Sequence, residues 1–107
     1  MSGATLDGAS MVETVLTKVY AVGASMRGVD LSNAVIDRAD LDGVDFTGSR
    51  FVNAVVTGTT FDGADLTDVT FEDALIGFED AKRLCANPTL KGEGRAEVGC
   101  RGGAAGP

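Results

Sequence analysis

The sequence lacks histidine altogether, and it has only two cysteines and two prolines among its 107 residues. Without histidine, the commonest general base and zinc ligand is missing. The sequence also has no serine–histidine or cysteine–histidine pair and no phosphate-binding loop. Neighbouring carboxylates such as Asp40 and Asp42 are expected to be solvated on the surface rather than desolvated in a pocket. We therefore expect a non-enzymatic protein with no cofactor and no dedicated metal site.

Long apolar runs and an excess of positive charge are also lacking. No uninterrupted apolar stretch approaches the ~18 residues of a membrane span, and no signal or transit peptide is visible, which predicts a cytosolic or a processed chain. The net charge of −7 argues against nucleic acid as a partner, because nucleic-acid binding needs a cationic footprint. The length and the mean hydropathy of +0.12 are typical of one globular domain.

A period of five residues is the dominant pattern of the chain. Every fifth residue from Leu6 to Ile76 is apolar, and the residue two places before each of them is small. An α-helix would space apolar residues about 3.6 apart and a strand 2 apart, so neither explains the pattern. It predicts a chain that turns a corner every five residues, with the large and the small residue both directed inward. The 15 glycines agree with many tight turns.

Four such corners close a square, so that residues twenty apart in the sequence stack along one axis. We predict an all-β solenoid, a quadrilateral β-helix of about four coils, over residues 1–78. The core ladders of this solenoid are expected to include Leu31, Leu41, Phe46, Phe51, Phe61, Leu66 and Phe71.

One outer face of the predicted solenoid is apolar, whereas the other three are acidic. The apolar residues of this face are Val15, Val35, Val55 and Leu75. Sheet propensity alone is one interpretation, because β-branched residues favour strands. Contiguous exposed apolar patches are rare on soluble monomers. We therefore favour the other interpretation, an interaction stripe for self-association or for an unidentified partner protein.

The five-residue register ends at residue 78, and residues 79–101 are predicted to form a helical cap. The stretch Glu79–Cys85 is typical of a short helix, with acidic residues first and basic residues later, and Asn87-Pro88 ends it. Residues 94–100 predict a second helical turn. Residues 102–107 are of low complexity, and we expect them to be disordered.

A cap is needed because a stacked solenoid otherwise leaves the apolar ladders and backbone groups of its last coil bare. We expect the side chains of Phe78, Ala81 and Leu84 to provide it. They would lie over the last apolar residues of the ladders, Phe71 and Ile76.

Both cysteines, Cys85 and Cys100, fall within the predicted cap. They are either two free buried thiols or a disulfide. The small size of the hairpin between them, which has little core of its own, favours the disulfide. Closing a loop of this size would contribute about 3 kcal/mol in the chain-entropy model, and a disulfide indicates an oxidising compartment.

The segments Ala39-Asp40-Leu41, Ala64-Asp65-Leu66 and Val29-Asp30-Leu31 match the consensus A-(D/N)-L-x-x nearly letter for letter. Residues 4–78 thus resemble the pentapeptide-repeat family. This resemblance implies that the quadrilateral β-helix is right-handed. It leaves the function open, because the family hosts unrelated roles.

The C-terminal part, Leu84-Cys85-x-Asn87-Pro88 followed by Gly99-Cys100, resembles the tail of thylakoid-lumen members of this family from plants, algae and cyanobacteria. In those relatives a helical cap with paired cysteines closes the C-terminal end. The resemblance implies the thylakoid lumen of a chloroplast or a cyanobacterium, after removal of a targeting peptide, in preference to the cytoplasm.

Three functions are therefore considered. The first is a structural or protein-interaction module. The second is a DNA mimic, because some relatives are acidic rods that resemble duplex DNA and bind gyrase. The third is a redox-sensing regulator that acts through Cys85 and Cys100.

Overall fold

Four short parallel strands, one per coil, form the regular sheet of the protein. The computed structural model describes residues 3–100. The strands are β1 (Val15–Thr17), β2 (Val35–Asp37), β3 (Val55–Thr57) and β4 (Leu75–Ile76), in the order β1-β2-β3-β4. Val15 pairs with Val35, and Val55 pairs with Leu75. Every pair joins residues twenty apart, which confirms the predicted length of one coil.

The other three faces of each coil are held by isolated parallel bridges with the same twenty-residue offset. Examples are Thr5 with Ser25, Ser10 with Asp30, and Tyr20 with Asp40. On these faces a turn closes immediately after the inward apolar residue, as where the amide of Ala9 donates to the carbonyl of Leu6 (3.0 Å). The turn leaves room for one bridging residue only, and the coil therefore has four sides of which one is a true strand.

Each corner contains one residue in the left-handed backbone conformation. From Gly3 to Asp73 every fifth residue has a positive φ, for example Gly23 at 73° and Gly43 at 69°. Glycine adopts this conformation without steric cost, whereas other L-residues lose about 1–2 kcal/mol. Glu13, Lys18 and Arg38 nevertheless occupy such corners (φ 61°, 58° and 54°), so their side chains are retained there despite the strain.

The inward ladders form a continuous core along the rod. Leu31, Leu41, Phe46, Phe51, Phe61, Leu66 and Phe71 are each at most 2% exposed. Successive phenylalanines contact one another, since the rings of Phe51 and Phe71 stack at 4.9 Å and those of Phe46 and Phe51 meet edge to face at 5.3 Å. Ring pairs of this kind add about 0.5–1.5 kcal/mol beyond the burial of their area.

Three of the small inward residues are polar, and the two that are fully buried have hydrogen-bond partners within the core. Ser49 and Thr59 are fully buried. The hydroxyl of Ser49 donates to the carbonyl of Met26 (2.6 Å) and accepts from the amide of Val29 (3.0 Å). Thr59 Oγ1 donates to the carbonyl of Thr57 (3.1 Å). Buried hydroxyls with partners of this kind avoid the cost of an unmade hydrogen bond.

Two short helices follow the solenoid, α1 (Phe78–Cys85) and α2 (Glu93–Val98). Leu84 in α1 and Leu90 between the helices are fully buried and join the core of the rod. Gly94 lets α2 approach the last coil closely, because a Cβ atom there would lie 2.5 Å from the carbonyl oxygen of Val69. The predicted disordered tail, residues 102–107, lies outside the described residues.

The prediction that Phe78 covers the last coil is wrong. Its side chain is 75% exposed, and the ammonium of Lys82 lies 4.7 Å from the centroid of its ring. Phe78 is the first residue of α1, and the side of that helix packed on the rod is defined by Asp80 and Leu84, four residues apart. At 3.6 residues per turn, Phe78 points away from that side. Leu90, which was not predicted, is the second large apolar residue of the cap.

Polar side chains of the cap supply hydrogen bonds that a continuation of the solenoid would otherwise supply. Within the rod, the amide of Arg38 donates to the carbonyl of Thr57 in the next coil (2.8 Å). One coil later the equivalent carbonyl, that of Gly77, accepts from the amide of Ala81 at the start of α1 instead of from Gly58. The amide of Gly58 donates to the carboxylate of Asp80 (2.9 Å), which also accepts from the amide of Thr59 (2.7 Å).

Three further cap residues act on two other faces of the last coil. The amide of Leu66 donates to Thr89 Oγ1 (2.7 Å), and the amide of Phe71 donates to Glu97 Oε1 (2.9 Å). Asn87 Nδ2 donates to the carbonyl of Ala64 (2.9 Å). The last coil therefore ends on side chains rather than on unpaired backbone, which removes an exposed sheet edge.

Candidate interaction surface

The apolar stripe consists of Val15, Val35, Val55 and Leu75, the first residues of the four strands. The parallel register places them side by side, so that at about 4.8 Å between strands the stripe runs about 14 Å along the rod. Val15 is 66% exposed and Leu75 is 71% exposed, while the two central valines are half-buried. The sheet thus presents a row of apolar side chains to solvent.

A polar row of Thr17, Asp37 and Thr57 runs beside the apolar stripe on the same sheet, at the second outward position of β1, β2 and β3. Thr57 Oγ1 donates to Asp37 (2.9 Å), whose other oxygen accepts from the guanidinium of Arg38 (2.9 Å). These two bonds, the one from Thr57 first, hold the pKa of Asp37 below its usual range. The Asp37 carboxylate is therefore already hydrogen-bonded within the polar row, and it does not interrupt the apolar stripe.

The two long edges of this face differ in charge. Glu13 and Asp73 occupy the corners before β1 and β4, whereas Lys18 and Arg38 occupy the corners after β1 and β2. At the C-terminal end, exposed Phe78 occupies the place after β4 that Lys18 and Arg38 occupy after β1 and β2. The face consequently has an apolar centre, an acidic edge and a basic edge.

The aspartates of the other faces mainly accept hydrogen bonds from hydroxyl groups and backbone amides of the rod. Ser25 Oγ (2.6 Å) and the amide of Arg27 (3.0 Å) donate to Asp7, and these bonds lower the pKa of Asp7. The hydroxyl and amide of Ser32 lower the pKa of Asp30 in the same way, and those of Thr67 lower that of Asp65. These carboxylates stabilise corners and stacked coils, which is a structural use of the acidic residues.

The part of the chain that the structure describes contains no group of three or more His, Cys, Asp or Glu side chains that could hold a metal ion. Across residues 3–100 no helix combines the length and the apolar character that crossing a membrane requires.

The cap holds the two cysteines together. Cys85 and Cys100 form a disulfide with their Cα atoms 5.5 Å apart. Arg95, which is buried, donates to the carbonyl of Cys85 (2.8 Å). The disulfide thus connects the end of α1 to the residue beyond α2, and it secures the helix from which Glu97 reaches the last coil.

Several residues with a role in the cap escaped the sequence analysis, namely Asp80, Asn87, Thr89, Leu90, Glu97 and Gly94. They lie beyond the five-residue register, so no periodicity marks them. The one local signal was the series Asn87-Pro88-Thr89, which is typical of a turn with a side chain that bonds to the backbone two residues on. Asn87 accepts from the amide of Thr89 in this way (2.9 Å).

The parallel strands, the bridges on the remaining faces and the left-handed corners define a quadrilateral β-solenoid with a helical C-terminal cap. The family model for pentapeptide repeats matches residues 1–33 and 39–75 with 8 copies. The chain therefore belongs to the pentapeptide-repeat family, and its fold is the right-handed quadrilateral β-helix.

Two solved structures illustrate the fold. A pentapeptide repeat protein of the cyanobacterium Cyanothece 51142 is 18% identical at a TM-score of 0.57, over 73% of this chain and 60% of that one. This chain thus spans about three fifths of the length of the cyanobacterial protein. A pentapeptide repeat protein from the Arabidopsis thaliana thylakoid lumen is 20% identical at a TM-score of 0.53, over 90% of this chain and 88% of that one. No curated protein sequence matches this chain.

Proposed function

We propose that this protein is a non-enzymatic structural and protein-interaction module whose contact surface is the apolar stripe. The observation behind the proposal is the register of the sheet, which aligns four apolar side chains, of which Val15 and Leu75 are 66% and 71% exposed. Exposed apolar rows of this kind mark interaction sites on soluble proteins.

Two alternative functions depend on other features. A DNA mimic that binds gyrase would use the acidic faces, but carboxylates such as Asp7, Asp30 and Asp65 are engaged by hydroxyl and amide donors of the rod itself. A redox-sensing regulator would use the disulfide between Cys85 and Cys100. Neither alternative gives the apolar stripe a role, and for this reason the interaction module is preferred.

We further propose an oxidising compartment, the thylakoid lumen, as the location of the protein. Two observations support it. The two cysteines form a disulfide, and disulfides persist in oxidising environments. A structural neighbour with the same fold comes from the thylakoid lumen of Arabidopsis thaliana.

The experiment compares three immobilised proteins in a pulldown: the wild type, the stripe variant Val35→Asp/Val55→Asp, and a control variant Val22→Asp/Val52→Asp. Val22 and Val52 are also half-buried valines, but they lie in turns outside the strands that form the stripe. We expect a partner to be captured by the wild type and the control and to be lost with the stripe variant, with circular dichroism showing that all three are folded. Equal capture by all three would contradict the proposed surface.

A further inference from the structure

We propose that the occupant of the apolar stripe is the same face of a second copy of this chain, with the two rods parallel. This inference rests on the proposed function, since it takes the stripe to be the contact surface and names its partner. Two identical rods would pack side by side about a two-fold axis parallel to the rod axis, with each stripe against the other.

The charges at the edges of the face support self-association. Glu13 stands at the corner before β1 and Lys18 at the corner after it, and both side chains are exposed. Neither takes part in any of the four ion pairs formed within residues 3–100. Each copy therefore offers an acidic group on one side of the stripe and a basic group on the other, where Lys18 also attracts the Asp37 carboxylate of its own copy.

A two-fold axis parallel to the rod exchanges the two edges of the face and keeps the coils level. Glu13 of one copy then lies opposite Lys18 of the other, and the contact occurs twice. At the far end, Asp73 comes opposite Phe78 and Lys82, and Lys82 also pairs with Glu79 of its own copy. The end that carries Glu13 and Lys18 is thus complementary in charge in a parallel dimer.

An antiparallel arrangement of the same two faces reverses the coils but keeps each edge against its own kind. Glu13 would then lie opposite Asp73, which places two carboxylates together at each end. Like charges in opposition disfavour an association. The charge pattern therefore selects the parallel dimer over the antiparallel one.

The size of the face predicts a weak dimer. The molecule is 21 Å across, and four strands at about 4.8 Å extend about 19 Å along the rod. Contact between two such faces would bury at most about 800 Å² in total, below the ~1,200 Å² typical of stable interfaces. We expect a dissociation constant in the micromolar range or above.

Sedimentation equilibrium of the purified protein from about 1 µM to about 1 mM tests the association. We expect the mass of the wild type and of the control Val22→Asp/Val52→Asp to rise toward that of a dimer, while Val35→Asp/Val55→Asp stays monomeric. A wild type that is monomeric throughout would overturn this inference. The proposed function would stand in that case if the pulldown still depended on the stripe.

The orientation is tested with Glu13→Lys. In the parallel dimer the new lysine faces Lys18, so that the dissociation constant should rise about tenfold or more at low salt. In the antiparallel dimer it would face Asp73, and the association would strengthen instead. We expect the double variant Glu13→Lys/Lys18→Glu to regain the wild-type association. An equimolar mixture of the single variants Glu13→Lys and Lys18→Glu should regain it as well. A stronger dimer with Glu13→Lys, or no recovery in the double variant, would refute the parallel arrangement.

Discussion

Replacing Asp80 by alanine should destabilise the whole rod, although Asp80 lies outside the repeats. Its side chain is 3% exposed, and its carboxylate accepts from the amides of Gly58 and Thr59 at 2.9 and 2.7 Å. It also pairs with the guanidinium of Arg83 at 3.3 Å. The substitution removes the acceptor for two amides of the last complete coil, and the carbonyl in register with Gly58, that of Gly77, already accepts from the amide of Ala81.

The expected cost follows from those two amides. A buried donor left without its acceptor costs about 1–3 kcal/mol. The bond to Thr59 is buried and that to Gly58 is partly buried, so the first should approach the upper part of this range and the second the lower. We expect a loss of about 3 kcal/mol in the free energy of unfolding. Because stability is the small difference of large terms, this is a large effect for a single cap residue.

Urea unfolding monitored by circular dichroism measures this loss as a lower midpoint at unchanged slope. Phe78→Ala is the matched control, because it removes a larger side chain from the same helix at a site that is 75% exposed. We expect the control to change the stability by less than about 0.5 kcal/mol. If Asp80→Ala destabilises the protein no more than Phe78→Ala does, the view that Asp80 stands in for the missing side of the last coil is refuted.

Two further predictions concern the repeats themselves. Ala39 is 3% exposed, so Ala39→Leu should lower the free energy of unfolding by about 1–3 kcal/mol or more through overpacking. Asp40→Ala should cost less, because it removes only partly buried hydrogen bonds from the amide of Asp42 and the hydroxyl of Thr60. Equal thermal midpoints of the two variants would contradict this. Thr67 lowers the pKa of Asp65, so the folded carboxylate stabilises the protein above the unfolded value of about 3.9, and this contribution is lost as the pH falls through the folded pKa. Chemical denaturation should therefore show a deficit for Asp65→Asn at pH 7 that disappears in acid, and a deficit that is constant down to pH 2 would count against the role of this carboxylate.

The repeats were predictable from sequence because each position of the coil faces the same environment in every coil. Phe46 and Leu66, twenty residues apart, occupy equivalent inward sites, and both are fully buried. The corner position is also regular, with glycine at many of its occurrences and a positive φ at all of them between Gly3 and Asp73. A repeated environment selects a repeated residue type, and a repeated residue type can be recognised without any structure.

The cap was only partly predictable because it occurs once. Its helices were recognised from charge order and from Asn87-Pro88, but the side that faces the rod was assigned by hydrophobicity. That criterion selected Leu84, which is buried, but also Phe78, which is exposed, and it passed over the buried carboxylate of Asp80. The side of α1 that faces the rod is decided by the backbone amides at the end of the solenoid, because these amides need hydrogen-bond acceptors rather than apolar rings. Such a demand depends on three-dimensional neighbours more than twenty residues away, and no local pattern reveals it.

Sheet propensity explains part of the apolar stripe, but it does not explain all of it. Val15, Val35 and Val55 are β-branched, and they begin the three-residue strands of the only face with regular strands among residues 3–100. Propensity alone would favour such residues there.

Leu75, by contrast, is not β-branched, and it begins a strand of two residues at an exposure of 71%. Phe78 lies beyond the strand, is 75% exposed, and belongs to a helix. Threonine would satisfy the strand preference at the first position, and a polar residue would suit the helix, so the choice of large apolar side chains at the end of this face requires a cause outside the strand itself. A contact surface is such a cause, and the edge charges of Glu13 and Lys18 indicate how a second copy would meet it.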